Sequence, residues 1–157
     1  AGTKWDEIDF ENKVWVIPDS RMKMKREHRV PLTEETLSIL EGVKAFTSNS
    51  PYVFPSTRSN SRHVDPESIN KALKRIGLKN RTTAHGLRSL ASTTLNEWGE
   101  DPDLIEVALA HIGKDKIRNA YNRTDFHERR REMMHRWCSY LTRYSLGSFS
   151  VLNTLNG

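Results

Sequence analysis

From Thr82 to Tyr121 the chain reads TTAHGLRSLASTTLNEWGEDPDLIEVALAHIGKDKIRNAY. Apolar residues recur there at helical spacing, and the punctuation is sharp. Gly99 stops one run and Asp101-Pro102 opens the next. This pattern predicts a helix from about Gly86 to Trp98, a second through Ala110, and a short third from about Asp115 that carries Tyr121. Between the apolar residues sit His85, Arg88, His111 and Tyr121. A phenol can act as a nucleophile. A guanidinium fork and two imidazoles suit a crowded phosphate. Together they point to phosphoryl transfer through a tyrosine, on DNA.

The chain before this stretch opens differently. In WDEIDFENKVWVIP, Ile8 and Phe10 alternate with acids, and Val14 and Val16 then share one face of a second run, with Trp15 and Ile17 on the other. With Glu11-Asn12 as the turn, this is a β-hairpin. His28 to Leu32 is a third strand, which Pro31 confines to an edge or a strand end. The basic run RMKMKRE, Arg21 to Glu27, joins the second strand to the third.

Thr33 to Ala45 reads as a helix with Glu34 and Glu35 in its first turn, where carboxylates suit the dipole. Its stripe is Leu37, Leu40 and Val43, widened by Ile39. Tyr52-Val53-Phe54 is a short extended piece, and STRSNSRH, Ser56 to His63, a polar loop with two arginines. Asp65-Pro66 should start a helix to about Ile76, with Ile69, Leu73 and Ile76 inward and Lys71, Lys74 and Arg75 outward. Asp125 and Glu128 form a capping box for a final long helix with the stripe Met133, Met134, Trp137, Leu141 and Tyr144. Arg129-Arg130-Arg131 is its wet face. The fold class is α+β: mostly helical, with one small antiparallel three-stranded sheet near the N-terminus.

At 157 residues the chain is long enough for one domain with a real core. Its apolar fraction of 36% argues against disorder. No run is long enough to span a membrane. A lone cysteine, Cys138, permits no internal disulfide, so a reducing, cytoplasmic interior is expected. The net charge of +5 permits nucleic-acid binding without requiring it. His28, His63, His85, His111, His127 and His135 show no zinc spacing, so no metal and no cofactor is expected.

His85 and Arg88 are three apart, so on a helix they share a face and can address one anion. Each of the four polar residues also has an ordinary reading: a helix-start His, a surface Arg, a packed His, a half-buried core phenol. Their order and spacing, together with the basic hairpin loop, favour the chemical one.

These boxes carry a resemblance. The sequence resembles the tyrosine recombinases, in particular prophage and genomic-island integrases, from residue 5 to about residue 141. WDEIDFENKVWVIP is similar to the first hairpin of that family's catalytic domain. RMKMKREHRVPL is similar to its lysine-bearing segment and following V-P-L strand. AHGLRSLAST matches its H-x-L-R box, and LAHIGKDKIRNAYNR the stretch from its second histidine to its nucleophilic tyrosine. The resemblance implies the fold of DNA breaking-rejoining enzymes. It also implies site-specific recombination, the integration and excision of a prophage or genomic island, through a covalent 3′-phosphotyrosine. Carried over, Tyr121 is the nucleophile and Lys23 the general acid, with Lys25 competing for that role. His85 assists proton movement and contacts a phosphate oxygen. Arg88 clamps the non-bridging oxygens, and His111 is a further phosphate donor. Arg21, Lys25, Arg26, Arg58, Arg62, Lys71, Lys74 and Lys79 are candidate contacts to double-stranded DNA at attachment sites.

The same resemblance implies a homotetramer on DNA and no membrane. Residues 1–144 would be the catalytic domain, and 145–157 a tail that docks on a neighbouring protomer or frays. The family's further arginine would precede Ala1, so the expectation is a truncated catalytic domain impaired in cleavage, by on the order of 10²–10³ for one lost cationic contact. Two alternatives stand beside this: a non-catalytic DNA-binding module derived from a recombinase, and a type IB topoisomerase-like domain. A pure binder does not need Tyr121 placed after His111, and the compact spacing of those two favours an integrase over a topoisomerase.

Overall fold

In the computed structural model, residues 1–22, 25–110 and 126–145 are described, with side chains of the last helix described through Arg143. Strands β1 (Ile8–Asp9), β2 (Val14–Ile17) and β3 (His28–Pro31) form an antiparallel sheet in the order β1-β2-β3. The turn between β1 and β2 is built by side chains. Asp9 accepts from the Asn12 amide N–H at 2.8 Å and from its side-chain Nδ2 at 2.7 Å. Lys13, at φ +55, turns the chain back. Ile8 then faces Trp15, and Val14 faces Pro31. Proline has no N–H to give a ladder, and β3 is an edge strand, so Pro31 costs the sheet little.

Helix α1 (Glu34–Thr47) follows, with the Thr33 hydroxyl accepting from the Thr36 N–H at its start. It lays Leu37, Leu40 and Val43 on the sheet. There Ile8, Leu32, Leu37 and Val53 make one core, flanked by Trp5, Phe10 and Trp15. Ile39 does not widen that stripe; it is 55% exposed, because its side of the helix faces away from the sheet.

The predicted polar loop at 56–63 is instead a second hairpin, β4 (Pro55–Ser56) with β5 (Ser59–His63). Serine hydroxyls replace apolar packing in it: Ser56 accepts from the Arg58 N–H, and Ser59 from the Ser61 N–H. Helix α2 (Ser68–Leu73) starts later than predicted. Asp65 is spent on the preceding turn, where its Oδ1 takes the Glu67 N–H at 2.7 Å and its carbonyl the Ser68 N–H. A π turn over Lys74–Leu78 continues it, and Gly77 at φ +85 ends it. The expected inward stripe is corrected here. Ile69 and Ile76 are 50% and 71% exposed, because α2 is too short to lie across either core.

Helices α3 (Ala84–Glu97), α4 (Pro102–Ala108) and α5 (His127–Ser145) enclose the second core of Leu95, Leu104, Ile105 and Met133. Gly99 at φ +74 terminates α3, and Asp101 caps α4 from its side chain to the Asp103 N–H at 2.9 Å, both as the sequence predicts. Leu141 is 44% exposed, so it lies outside the core, and the Tyr144 side chain lies outside the described residues.

The wet-face assignment of Arg129-Arg130-Arg131 fails at its middle residue. Arg130 is fully buried and donates to the Arg29 carbonyl at 2.8 Å, a buried anchor from α5 to β3. Three cations in a row span most of a helical turn, so one of them must point back at whatever the helix packs on. The Thr33 hydroxyl also reaches Cys138 Sγ at 3.3 Å, and burial pushes that thiol's pKa up. The last helix therefore joins the sheet to the helical core.

Candidate active site

The site is set by how α3 begins. Thr83 caps the helix, its hydroxyl accepting from the Gly86 N–H at 3.0 Å. Asn70 of α2 accepts from the Ala84 N–H at 2.9 Å. Two of the amide groups that a helix start leaves without partners are thereby satisfied. The Thr82 and Thr83 hydroxyls fold back tightly over this turn. A Cβ on Gly86 would sit 3.1 Å from Thr82 Oγ1, which is why the smallest residue occupies that position.

His85 and Arg88 project from this capped turn on one face, as their spacing predicts. With Ser89, Ser92, Thr93 and Leu109 they line an open cleft of about 210 Å³. Arg88 donates through Nη2 to the Leu109 carbonyl. That carbonyl lies at the C-terminal end of α4, where helix carbonyls lack partners and cations are favoured. The bond draws the end of α4 onto the His85–Arg88 face. In sequence, the next residues but one after Leu109 begin at His111. No carboxylate of the described residues lines the cleft. Chemically it offers a guanidinium, an imidazole and three hydroxyls, a set of donors for an oxyanion.

The other predicted catalytic residues, Lys23, His111 and Tyr121, lie outside the described residues. The candidate DNA contacts are scattered by the fold into distinct surroundings. Arg21 grips Glu7, a buried carboxylate that also takes the Trp15 indole N–H at 3.0 Å. Lys25, at φ +53, and Arg26 are exposed before β3. Arg58 and Arg62 stand on the β4–β5 hairpin, Lys71 on α2, Lys74 on the π turn and Lys79 just past it, all exposed. Sequence reasoning missed Ser89 and Ser92. Ser89 is four residues from His85 and Ser92 four from Arg88, so each follows one of them up the helix, and that periodicity was the available signal. It also missed the Leu109 carbonyl, a backbone group that no residue type announces.

Among the described residues no helix is long and apolar enough to cross a membrane. None of their His, Cys, Asp and Glu side chains cluster in a way that would hold a metal ion.

The family described as the phage integrase family matches residues 1–128. The chain belongs to the phage integrase family. It is 47% identical over 148 residues to Prophage integrase IntA of Escherichia coli (strain K12), covering 94% of this chain and 36% of that protein. It is 39% identical over 132 residues to Prophage integrase IntZ of the same organism, covering 83% and 32%. The Integrase of Shigella phage Sf6 is 32% identical over 139 residues, covering 88% and 36%. This phage integrase segment thus spans about a third of the length of the curated relatives it matches. No solved structure matches it significantly. The His85–Arg88 cleft and both cores fall largely within the matched residues 1–128, and only α5 runs past them.

Proposed function

We propose that this integrase segment is the catalytic domain, residues 1–144, of a site-specific tyrosine recombinase acting on double-stranded DNA. The observation that carries the reading is the His85–Arg88 face of α3, tied through Leu109 to the end of α4 and lined by hydrogen-bond donors, with no carboxylate among the described residues. Family membership supplies the chemistry.

In this reading the Tyr121 oxygen attacks a backbone phosphorus. A 3′-phosphotyrosine bond forms, and the bond from phosphorus to the 5′ oxygen breaks. The departing 5′ oxygen takes a proton from Lys23, and Tyr121 gives up its own with the help of His85. A free phenol holds its proton to a pH of about 10, so neighbouring cations must favour the phenolate. Arg88, with His111, holds the non-bridging oxygens as charge builds on them. The energy of the broken diester is kept in the phosphotyrosine, so rejoining needs no ATP. Lys25 and Arg26 in the loop with Lys23, together with Lys79, contact phosphates around the break, while Arg21 is held by Glu7. On DNA the intact protein assembles as a homotetramer, with 145–157 as a tail that docks between protomers.

The test uses a nicked suicide DNA bearing the element's own attachment core and the intact protein. A denaturation-resistant protein–DNA band that disappears in Tyr121→Phe is the expected result. DNA binding without any band would favour a non-catalytic binding module. Relaxation of any duplex without preference for two specific sites would favour topoisomerase-like chemistry.

A further inference from the structure

The basic surplus of the chain is confined to one stretch. Residues 55–88 hold eight lysines and arginines against two acids, while the rest of the chain has seventeen against eighteen. The described ion pairs all lie outside it: Lys13 with Glu34, Arg21 with Glu7, Arg129 with Asp101, Arg131 with Glu128 and Arg136 with Glu100. Within it, the guanidinium groups of Arg58 and Arg62 form no ion pair with any described residue, and neither does Lys71. Both acids of the stretch are committed elsewhere. Asp65 takes the Glu67 N–H, and Glu67 takes the Asn70 side-chain amide at 3.2 Å.

The β4–β5 hairpin holds its two arginines beside an open cleft of about 680 Å³, whose wall also carries Ser56, Ser59, Ser61, His63 and, at its far end in sequence, Asp65, whose carboxylate is occupied by the Glu67 N–H. The backbone beneath them is fixed. The buried Ser50 hydroxyl donates to the Asn60 carbonyl at 2.6 Å, the Val64 N–H donates to the Phe54 carbonyl at 2.9 Å, and the Tyr52 ring meets His63 edge-on at 5.4 Å. A fixed backbone carrying two forks that no described acid holds loses little ordering entropy on meeting an anion. Arg58 sits in the hairpin turn and Arg62 near the far end of β5, so the two positions are at most about 13 Å apart at 3.3 Å per residue, room for neighbouring phosphates of a strand.

We propose that the β4–β5 hairpin is a phosphate-backbone clamp for duplex DNA, with Arg58 and Arg62 each holding a phosphate outside the His85–Arg88 cleft. The proposal rests on the reading of DNA as the substrate and names the surface that grips it. Gripping phosphates carries no base information, so the clamp adds affinity without sequence preference.

The test measures affinity of the intact protein for two duplexes of unrelated sequence across a potassium chloride series. Each phosphate contact contributes about 0.9 to the slope of log affinity against log salt. The double variant Arg58→Ala/Arg62→Ala is expected to lower that slope by about two on both duplexes. Arg58→Lys/Arg62→Lys keeps the charge and should keep most of the slope. Both side chains are exposed, so a shared thermal midpoint verifies the fold. An unchanged slope in the double alanine variant, or a loss confined to one duplex, overturns the clamp. Adduct formation is scored separately. A wild type that forms no Tyr121 adduct defeats the recombinase reading and leaves the slopes to judge the hairpin.

Discussion

Two regions of the molecule use charge and apolar surface in opposite ways. In the sheet, α1, α4 and α5, cations meet carboxylates and apolar side chains are buried: Val53, Ile105 and Met133 are at most 1% exposed. From Phe54 to Thr93 no residue is buried, and the cations there form no ion pair with a described acid. Ile69, Ile76, Leu87 and Leu90 are about half exposed or more. The first region is held by its own contents. The second is shaped by hairpin and cap hydrogen bonds, and it leaves its charge unspent. A positive surface outside the His85–Arg88 cleft, together with that cleft, is what a polyanion requires. The difference teaches where stability and binding reside, and substitutions should separate them.

The largest effect is expected in the buried region. Met133→Ala opens a cavity in the second core and should cost about 2–5 kcal/mol in a urea titration. Arg130→Met should cost about 1–3 kcal/mol, because it leaves the Arg29 carbonyl without its buried donor. Ile76→Ser, in the open region, should change stability by less than about 0.5 kcal/mol. A loss there as large as that for Met133 would erase the contrast.

The next test crosses the regions by charge. Arg129→Ala removes a solvent-exposed pair with Asp101, worth about 0.2–1 kcal/mol, and should leave the salt slope of DNA binding unmoved. Lys71→Ala should do the reverse: no shift in thermal midpoint and a slope lower by about one. Equal slopes in both variants would mean that pairing does not sort these cations.

The smallest effect is in acid. The Asp101 carboxyl is held below its ordinary pKa, first by the Asp103 N–H and then by Arg129. A lowered folded value means that the unfolded chain takes up the proton first. The contribution is therefore complete above the ordinary value of about 4 and is lost as pH falls through the lowered one. Asp9, held down by Asn12, behaves in the same sense. Asp101→Asn should flatten part of the acid limb of a stability–pH curve and leave neutral pH nearly unchanged. An acid limb that keeps its steepness in this variant would remove Asp101 from the account.

The sequence alone determined the elements whose signal is local. The β1–β2 turn was legible at Glu11-Asn12, with the Asp9 bonds that build it seen only in the structure, and the edge position of β3 follows from Pro31. The stop and restart around α3 and α4 follow from Gly99 and Asp101-Pro102, and the shared face of His85 and Arg88 from a spacing of three. Each depends on dihedral preference or hydrogen bonds within a few residues. Tertiary structure decided the rest. Whether Ile69 and Ile76 are core depends on what α2 faces, and an apolar stripe does not name its partner. Arg130 lies between two cations of the same type, and only the approach of β3 selects it for burial. The Leu109 carbonyl becomes part of the cleft because α4 happens to end against Arg88. Such facts are pairings across long sequence separations, and a single sequence carries no local mark of them.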